Sequence, residues 1–177
     1  MLIFIGTNKI LGPILKLMDQ LIQKASFAGG CFWGVQQLFD RMPGVISSRV
    51  GYMGGHKDNP NYEEVCSGNT GHAEVLEITY DANQISYGDL LDRFWTLHDP
   101  TTKDRQGPDV GSQYRSVIFY YTSEQKLEAE KSKTNLGNSG KFSNPVVTEI
   151  VSASTFWPAE DYHQKYNEKN GLTCHIG

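Results

Sequence analysis

Residues 26–39 read SFAGGCFWGVQQLF and place one cysteine, Cys31, where the chain changes from strand to helix. Residues 26–30 predict a short strand that ends in a Gly-Gly turn. Helical spacing of apolar residues begins directly afterwards, at Phe32, Val35, Leu38 and Phe39. Cys31 is therefore predicted in the first turn of a helix.

A thiol at this position is expected to be reactive. Unpaired N–H groups and the positive end of the helix dipole favour a thiolate, so we expect the pKa of Cys31 to lie below its free value of about 8.5. A buried structural thiol is the alternative interpretation. The flanking glycines and the aromatic pair Phe32 and Trp33 at the helix entrance favour the reactive thiol.

Strands and helices alternate along the rest of the chain. Further strands are predicted at 45–52, 73–80, 113–121 and 146–151, helices from about 86, at 122–137 and at 158–168, and long loops at 53–71 and 98–112. Asp89 is placed to cap the helix near Ser86, and Thr122 with Gln125 forms a capping box. The order indicates an α/β (α+β) fold, a ferredoxin-like two-layer sandwich with a mixed sheet.

The N-terminal residues carry an apolar stripe at helical spacing over residues 8–24. We expect an amphipathic helical extension, residues 1–24, that packs on a single catalytic domain, residues 25–177. The end of that domain, residues 170–177, is predicted to be a mobile, coil-rich tail. Binding of the stripe to a membrane surface or to a partner is the alternative.

Composition limits the function classes. The chain has 177 residues and a formal net charge of −4, which fits one domain and argues against nucleic acid as the main ligand. The first six residues are apolar but too short to span a bilayer, so a soluble protein is predicted. Three cysteines are too few for a disulfide scaffold and favour a reducing compartment, which we take to be the cytoplasm.

Glu74 is the predicted proton donor. Alternation along the strand at 73–80 puts it on one face with aliphatic residues, and desolvation there raises the pKa of a carboxyl. Glu77, on the other face, is expected to be solvated. Two alternatives stay open: Glu74 pairs with a base such as Arg115, and His72 only orders the entrance to the strand.

Two loops each supply a phenol. Pro60 stiffens a turn that can aim Tyr62, and Tyr114 is predicted to open the strand at 113–121. The two hydroxyls could hold one oxygen atom between them. Either tyrosine could instead be a core residue with its hydroxyl satisfied locally.

Metal chemistry has little support in the sequence. The chain has no C-x-x-C pair and no H-x-x-x-H or H-E-x-x-H spacing, so we expect neither a metal nor another cofactor. Cys66 is predicted to be a small buried residue.

Six motifs, in order along the chain, resemble those of the A-class peptide methionine sulfoxide reductases. They are GCFWG at 30–34, GYMGG at 51–55, NPNY at 59–62, GHAE at 71–74, GSQYRS at 111–116 and AEDYHQ at 159–164. A single short motif can arise by chance, whereas six in the same order are specific. The resemblance covers the chain from about residue 25 to the C-terminus, and the N-terminal extension has no match.

The resemblance implies a role for each candidate residue. Cys31 is expected to attack the sulfur of a methionine S-sulfoxide, free or protein-bound, while Phe32 and Trp33 contact its S-methyl group. The oxygen is expected to be held and protonated by three residues, with a fourth in support: Glu74, Tyr62 and Tyr114, with Asp109. Release of methionine leaves a sulfenic acid on Cys31.

The resemblance also implies how the enzyme is recycled. Cys174 is expected to condense with the sulfenic acid to a disulfide, which thioredoxin reduces; the chain is expected to act as a monomer, in repair of oxidised proteins. Two other function classes stay open on the residues alone. One is a cysteine amidase or peptidase with a histidine-paired thiolate, and the other is an aromatic site that binds a methylated cation without turnover.

Overall fold

A computed structural model describes residues 21–173, and its centre is a six-stranded sheet. The strands of that sheet are β1 (Ile22–Ala28), β2 (Val45–Met53), β3 (Ala73–Asp81), β6 (Val117–Tyr120), β7 (Glu149–Ser152) and β8 (Trp157–Pro158), and a separate small sheet contains β4 (Arg105–Gln106) and β5 (Asp109–Val110). The helices are α1 (Phe32–Phe39), α2 (Tyr62–Cys66), α3 (Tyr87–Leu97), α4 (Ser123–Asn138) and α5 (Tyr166–Lys169).

The strand order of the large sheet is β7-β6-β1-β3-β2-β8. The four strands in the middle pair antiparallel, with β1 between β6 and β3, and β2 on the far side of β3. With α1 after β1 and α3 after β3, this is the ferredoxin-like order, and β7 adds a parallel edge strand beside β6. The prediction of a two-layer α/β fold with a mixed sheet is confirmed.

The main core lies between the sheet and helices α1 and α3. Phe27 on β1 stacks on Phe39 of α1 at 5.4 Å and on Phe94 of α3 at 5.1 Å between ring centroids. Alternate residues of β3 contribute to this core, and the residues between them join a second cluster on the opposite face. β3 is therefore buried on both faces, which fixes the direction in which each of its side chains points.

Both predicted caps form, but the one at Thr122 is not a full capping box, because Oε1 of Gln125 accepts from the N–H of Tyr121 at 2.8 Å and not from that of Thr122. Ser86 accepts a hydrogen bond from the N–H of Asp89 at 3.1 Å, and the Asp89 carboxylate accepts one from the N–H of Ser86 at 2.9 Å. Thr122 accepts one from the N–H of Gln125 at 3.2 Å. These short-range contacts set where α3 and α4 begin.

The predicted C-terminal boundary of the N-terminal helix, at residue 24, is wrong. Residues 22–24 are not helical, because β1 begins at Ile22 and pairs with β3 from Ile22 opposite Asp81. The rest of the predicted helix, and the tail beyond residue 173, lie outside the described residues. The division of the chain into an extension and a catalytic domain stays a prediction. No helix within residues 21–173 has the length and apolar character needed to cross a bilayer.

Three other predicted elements are corrected. The predicted strand at 113–121 is shortened, because Ser112–Tyr114 forms a 3-10 helix and β6 starts at Val117. The loop at 53–71 contains α2, which Asn61 caps. Pro158 does not open a helix; it lies in the edge strand β8, opposite Gly51, where its missing N–H costs no central ladder bond.

Candidate active site

Cys31 is the N-cap of α1, one residue before the helical turn in which it was predicted. The chain reaches it through Gly30, whose φ of +92° lies in the left-handed region that favours glycine. A Cβ at Gly30 would lie 2.8 Å from Cγ of Gln106, so the turn also needs the absence of a side chain. Gly30 therefore lets the chain turn tightly after the strand, so that the thiol of Cys31 lies at the helix entrance.

The pKa of Cys31 is raised to about 12, so the prediction of a lowered pKa is wrong. Burial of the thiol is the largest cause, and the negative charges of Glu74 and Asp109 add to it. The N–H groups of Trp33 and Gly34 at the helix entrance favour the thiolate, as expected, but they are outweighed. Cys31 is therefore a thiol near neutral pH.

Glu74 lies on β3 opposite Tyr52 and is 2% exposed. Its Oε2 accepts a hydrogen bond from the N–H of Phe32 at 3.0 Å, which ties the carboxyl to the residue after Cys31. Burial raises the pKa of Glu74 to about 8, and the Phe32 N–H opposes that rise only in part. Near neutral pH this carboxyl is largely protonated, as the alternation along β3 predicted.

Arg115 does not pair with Glu74. Arg115 donates to the carbonyl oxygens of Ser112 at 2.9 Å and Gly71 at 3.1 Å and lies 3.7 Å from the Glu149 carboxylate, so the predicted pairing with Glu74 is wrong.

Glu77 is not the solvated residue that was expected, since it is 6% exposed. Lys24 at 3.2 Å and Arg49 at 2.7 Å pair with it, and these contacts lower the pKa of Glu77 despite its burial. Two carboxyls on one strand thus differ in protonation because only one has cations beside it.

The two predicted phenols and Asp109 gather around Cys31 and Glu74. Burial raises the pKa of Tyr114 to about 12, and the charges of Glu74, Asp109 and Cys31 are among the further causes. Burial also raises the pKa of Tyr62, followed by its hydrogen bond to Cys66 and the charge of that thiol, and then by the charges of Glu74 and Tyr114. Both phenols therefore stay protonated at every physiological pH and can donate a hydrogen bond to a substrate oxygen. Tyr114 reaches the site from the 3-10 helix and Asp109 from β5.

Aromatic side chains form the wall beside Cys31. Phe32 is fully buried and Trp33 partly buried, and Trp33 donates from Nε1 to Nδ1 of His163 at 3.0 Å. The His163 ring also contacts Tyr62 at 4.4 Å and Phe32 at 5.2 Å between centroids. Tyr166 of α5 stacks on the indole of Trp33 at 3.8 Å. The wall is thus built from α1, α2 and the C-terminal segment together.

Glu160 and His163 are site residues for which the sequence pattern predicts no role. Glu160 accepts the N–H of Tyr62 at 2.9 Å and the hydroxyl of Tyr52 at 3.1 Å, so it holds the start of α2 against β2. Trp33 donates to Nδ1 of His163, so the neutral ring carries its proton on Nε2, a buried atom without a hydrogen-bond partner among the described residues. Both lie in the AEDYHQ motif, which was the available signal.

The other buried histidines have structural contacts. His98 lines the cavity next to Cys31, but its Nδ1 donates to the Phe94 carbonyl at 3.0 Å and its Nε2 accepts from Ser116 at 2.7 Å. Burial lowers the pKa of His98 to about 4. His72 contacts the N–H of Gly55 and the carbonyl of Lys57, so it orders the entrance to β3. His98 is therefore no base for Cys31, which argues against an amidase or peptidase that uses this histidine.

An open cavity of about 610 Å³ leads to Cys31. Trp33 and Asp109 line it, and so do Leu172 and Thr173 at the end of the described chain. Cys174 follows directly and lies outside the described residues.

Cys66 is exposed, so the prediction that it is a small buried residue is wrong. Its thiol lies near Tyr62, at the last position of α2. Among residues 21–173, no three His, Cys, Asp or Glu side chains are grouped to hold a metal ion.

The chain is similar to known proteins in sequence and in fold. The family model described as peptide methionine sulfoxide reductase matches residues 23–176. A peptide methionine sulfoxide reductase MsrA from Methanothermobacter thermautotrophicus is 59% identical over 148 residues, 84% of this chain and 88% of that protein. The crystal structure of reduced Mxr1 from Saccharomyces cerevisiae superposes with a TM-score of 0.82 at 35% identity, covering 89% of this chain and 90% of that one. A structure of Mxr1 in complex with Trx2 gives a TM-score of 0.59 at 25% identity, with 84% and 86% covered.

Proposed function

This chain belongs to the peptide methionine sulfoxide reductase family and is an oxidoreductase, and from that premise we propose that it reduces methionine S-sulfoxide through Cys31 and Glu74. The observation that carries the proposal is the buried carboxyl of Glu74, protonated near neutral pH and tied to the residue after the thiol. A sulfoxide has an oxygen that must leave its sulfur, and a positioned acid supplies the proton that this requires.

In the proposed reductive step, the Cys31 sulfur attacks the sulfoxide sulfur while Glu74 gives its proton to the oxygen. The attack forms a bond between the two sulfurs and leaves a hydroxyl on the methionine sulfur. That S–S bond and the S–O bond then break as the hydroxyl passes to Cys31, which becomes a sulfenic acid, and the proton lost by the thiol goes to Glu74. The sulfoxide is reduced by two electrons to methionine, and Cys31 is oxidised by two. The hydroxyls of Tyr62 and Tyr114 hold the oxygen, with Asp109 in support, and Phe32 and Trp33 contact the S-methyl group.

Because the pKa of Cys31 is high, most of the rate enhancement must come from protonation and hydrogen bonding of the sulfoxide oxygen. Only a small fraction of the thiol is ionised at pH 7 when its pKa is about 12. Positioned donors to a developing oxyanion contribute about 2.7–4 kcal/mol each in other enzymes, which exceeds what thiolate tuning supplies. Proton donation by Glu74 and the two phenols is therefore the main catalytic contribution in this proposal.

In the proposed recycling steps, the Cys174 thiol attacks the sulfenic acid and releases water, which leaves a Cys31–Cys174 disulfide. Thioredoxin then reduces that disulfide by thiol–disulfide exchange. Two observations support this order. Leu172 and Thr173, which precede Cys174, line the cavity that contains Cys31. The yeast relative Mxr1 has been crystallised in complex with Trx2.

A single assay tests the proposed function: conversion of the two methionine sulfoxide epimers, free and within a peptide, with dithiothreitol or thioredoxin as reductant. We expect reductant-dependent formation of methionine from the S epimer only. Hydrolysis of an amide without reductant, or binding of a methylated cation without turnover, contradicts the proposal. We further propose that the protein acts as a monomer in the cytoplasm and without a membrane partner. We also propose that it has no nucleic-acid partner, which its net charge of −4 disfavours.

The pH dependence of the reductive step follows from two titrating groups, the nucleophile Cys31 and the acid Glu74. The rate of methionine formation in a single turnover is expected to rise with pH as the Cys31 thiolate fraction grows. It should level off near pH 8, because above the Glu74 pKa of about 8 the loss of the acid cancels further thiolate formation. Rapid-quench measurement of the single-turnover rate at pH values below and above 8 checks this prediction. A rate that keeps rising past pH 8 contradicts the acid role of Glu74.

Cys174→Ser is expected to reduce about one equivalent of substrate and then stop when thioredoxin is the reductant. The sulfenic acid on Cys31 then has no internal thiol to resolve it, while dithiothreitol restores part of the turnover by direct attack. The same substitution at the exposed Cys66 serves as the control and should leave turnover unchanged. Undiminished thioredoxin-dependent turnover of the Cys174 variant assigns the resolving role to another thiol.

A further inference from the structure

Glu160 joins two parts of the site that are distant in sequence. Its Oε1 accepts a hydrogen bond from the N–H of Tyr62 at 2.9 Å, and its Oε2 accepts one from the hydroxyl of Tyr52 at 3.1 Å. Tyr52 is fully buried in β2 and lies opposite Glu74 in the ladder between β2 and β3. The Glu160 carboxylate therefore fixes the first residue of α2 to the strand beside the proposed acid.

Helix α2 depends on tertiary contacts for its place in the site. It has five residues, Tyr62–Cys66, of which Val65 is buried. A helix this short is not stable by itself, so contacts with the rest of the protein decide where it lies. The N-cap side chain of α2 accepts the N–H of Glu64, whereas the N–H of Tyr62 donates to Glu160. Glu160 therefore completes the start of this helix from outside it.

The Glu160 carboxylate is a strong acceptor. Its partial burial acts to raise its pKa, but hydrogen bonds that include those from Tyr62 and Tyr52 outweigh the burial, and the pKa lies below its usual value. An ionised carboxylate accepts on both oxygens, and hydrogen bonds to a charged group are stronger than neutral ones.

The same turn of the chain also holds the ring of Tyr62. The N–H of His163 donates to the carbonyl of Glu160 at 2.9 Å, which closes the turn. The His163 ring then lies against the phenol of Tyr62, at 4.4 Å between centroids. One short segment therefore fixes both the backbone and the ring of Tyr62.

We propose that Glu160 is a positioning residue for Tyr62, which holds the start of α2 so that the Tyr62 hydroxyl meets the oxygen of the sulfoxide. The proposal rests on the proposed function, since it needs Tyr62 to hold that oxygen. In this role Glu160 takes no part in proton transfer. It acts through the backbone of Tyr62, which lies 98 positions before it in the sequence.

The phenol of Tyr114 conceals part of the effect in the parent, because the two phenols can replace one another. The test therefore uses the Tyr114→Phe background, in which Tyr62 is the phenol that remains to hold the oxygen. A displacement of a catalytic group by about 1 Å can cost about 100-fold in rate. We expect Glu160→Ala to slow single-turnover methionine formation by about 10- to 100-fold in that background, and by less in the parent.

A double-mutant cycle separates positioning from a general structural role. Glu160→Ala should have no further effect in the Tyr62→Phe background, because the hydroxyl that Glu160 places is already absent there. A substitution that merely loosens the site slows methionine formation to the same extent in both backgrounds. Glu160→Gln keeps an oxygen for the Tyr62 N–H and should stay within about threefold of the rate of each background, since a neutral acceptor still makes the bond.

Asp161→Ala is the matched control, because it removes an exposed carboxylate from the next position of the same segment. It should leave the rate unchanged in every background. Circular dichroism and the melting temperature show whether each variant is folded. If Glu160→Ala is unfolded, Tyr52→Phe takes its place, because it removes only the hydroxyl that donates to Glu160. Tyr52→Phe should slow the Tyr114→Phe protein and leave the Tyr62→Phe protein unchanged.

Equal slowing in the two backgrounds overturns the proposal, and so does an unchanged rate when Glu160→Ala is added to Tyr114→Phe. Failure of the proposed function gives a different result: the parent itself then forms no methionine from the sulfoxide, with any reductant. The two failures are therefore distinguishable.

Discussion

Cys31→Ser is expected to abolish sulfoxide reduction and to leave the fold intact. A serine hydroxyl neither ionises near neutral pH nor forms the sulfenic acid that carries the oxygen away, so both halves of the proposed reductive step are lost. The side chain is nearly isosteric, and Cys31 is only partly buried, so little packing changes. The measurement is methionine formed per enzyme in one turnover, with dithiothreitol present to exclude a recycling defect.

Cys66→Ser is the matched control for this experiment, because it makes the same chemical change in an exposed thiol beside Tyr62 that is not the proposed nucleophile, and a serine hydroxyl can keep the hydrogen bond to Tyr62. It should retain the parent rate. Circular dichroism and the melting temperature of both variants should match the parent. Any reduction of a sulfoxide by folded Cys31→Ser above the background without enzyme refutes the assignment of the nucleophile.

Glu74→Gln is expected to slow the reductive step by about 10- to 1000-fold, the range for loss of a positioned acid or oxyanion donor. Glutamine keeps an oxygen that can accept the Phe32 N–H, so the contact to α1 is retained while the transferable proton is lost. Tyr62→Phe and Tyr114→Phe should each cost less, because the two phenols can replace one another. Single-turnover methionine formation compares the three variants.

Glu77→Gln is the control for removing a carboxyl from β3. Its ion pairs with Lys24 and Arg49 lie away from the site, so this variant should lose stability while keeping the single-turnover rate. A Glu74→Gln rate within about twofold of the parent would mean that the oxygen is protonated by another group, since a lost acid costs at least about tenfold. Glu74 would then be a structural residue.

The stability of Glu74→Gln gives an independent check on the protonation of Glu74. Its pKa is raised on folding from 4.5 to about 8, so the folded protein holds this proton more tightly than the unfolded chain. The stabilisation from Glu74 is therefore complete below pH 4.5 and is lost as the pH rises through about 8. Glu74→Gln should remove this part of the pH dependence of the free energy of unfolding, measured by denaturant titration.

The local sequence determined the elements whose information lies within a few residues. The Gly-Gly turn before Cys31, the caps at Ser86 and Thr122, and the alternation that buries Glu74 all follow from spacing, because capping and side-chain direction depend on near neighbours. The order of these elements and the six motifs were sufficient to predict the ferredoxin-like sheet and the family. Ends of elements were less well predicted, as at Ile22 and Pro158, because strand pairing with distant partners decides them.

Only the tertiary structure decided the electrostatics of the site. Spacing put Cys31 at a helix entrance, but its pKa is set by burial and by charges that β3 and β5 bring from Glu74 and Asp109. Likewise Glu77 is ionised because Lys24 and Arg49 converge on it from β1 and β2. The physical reason is that desolvation and charge–charge energies depend on which elements pack together in space, whereas turns, caps and alternation are contained in the local chain.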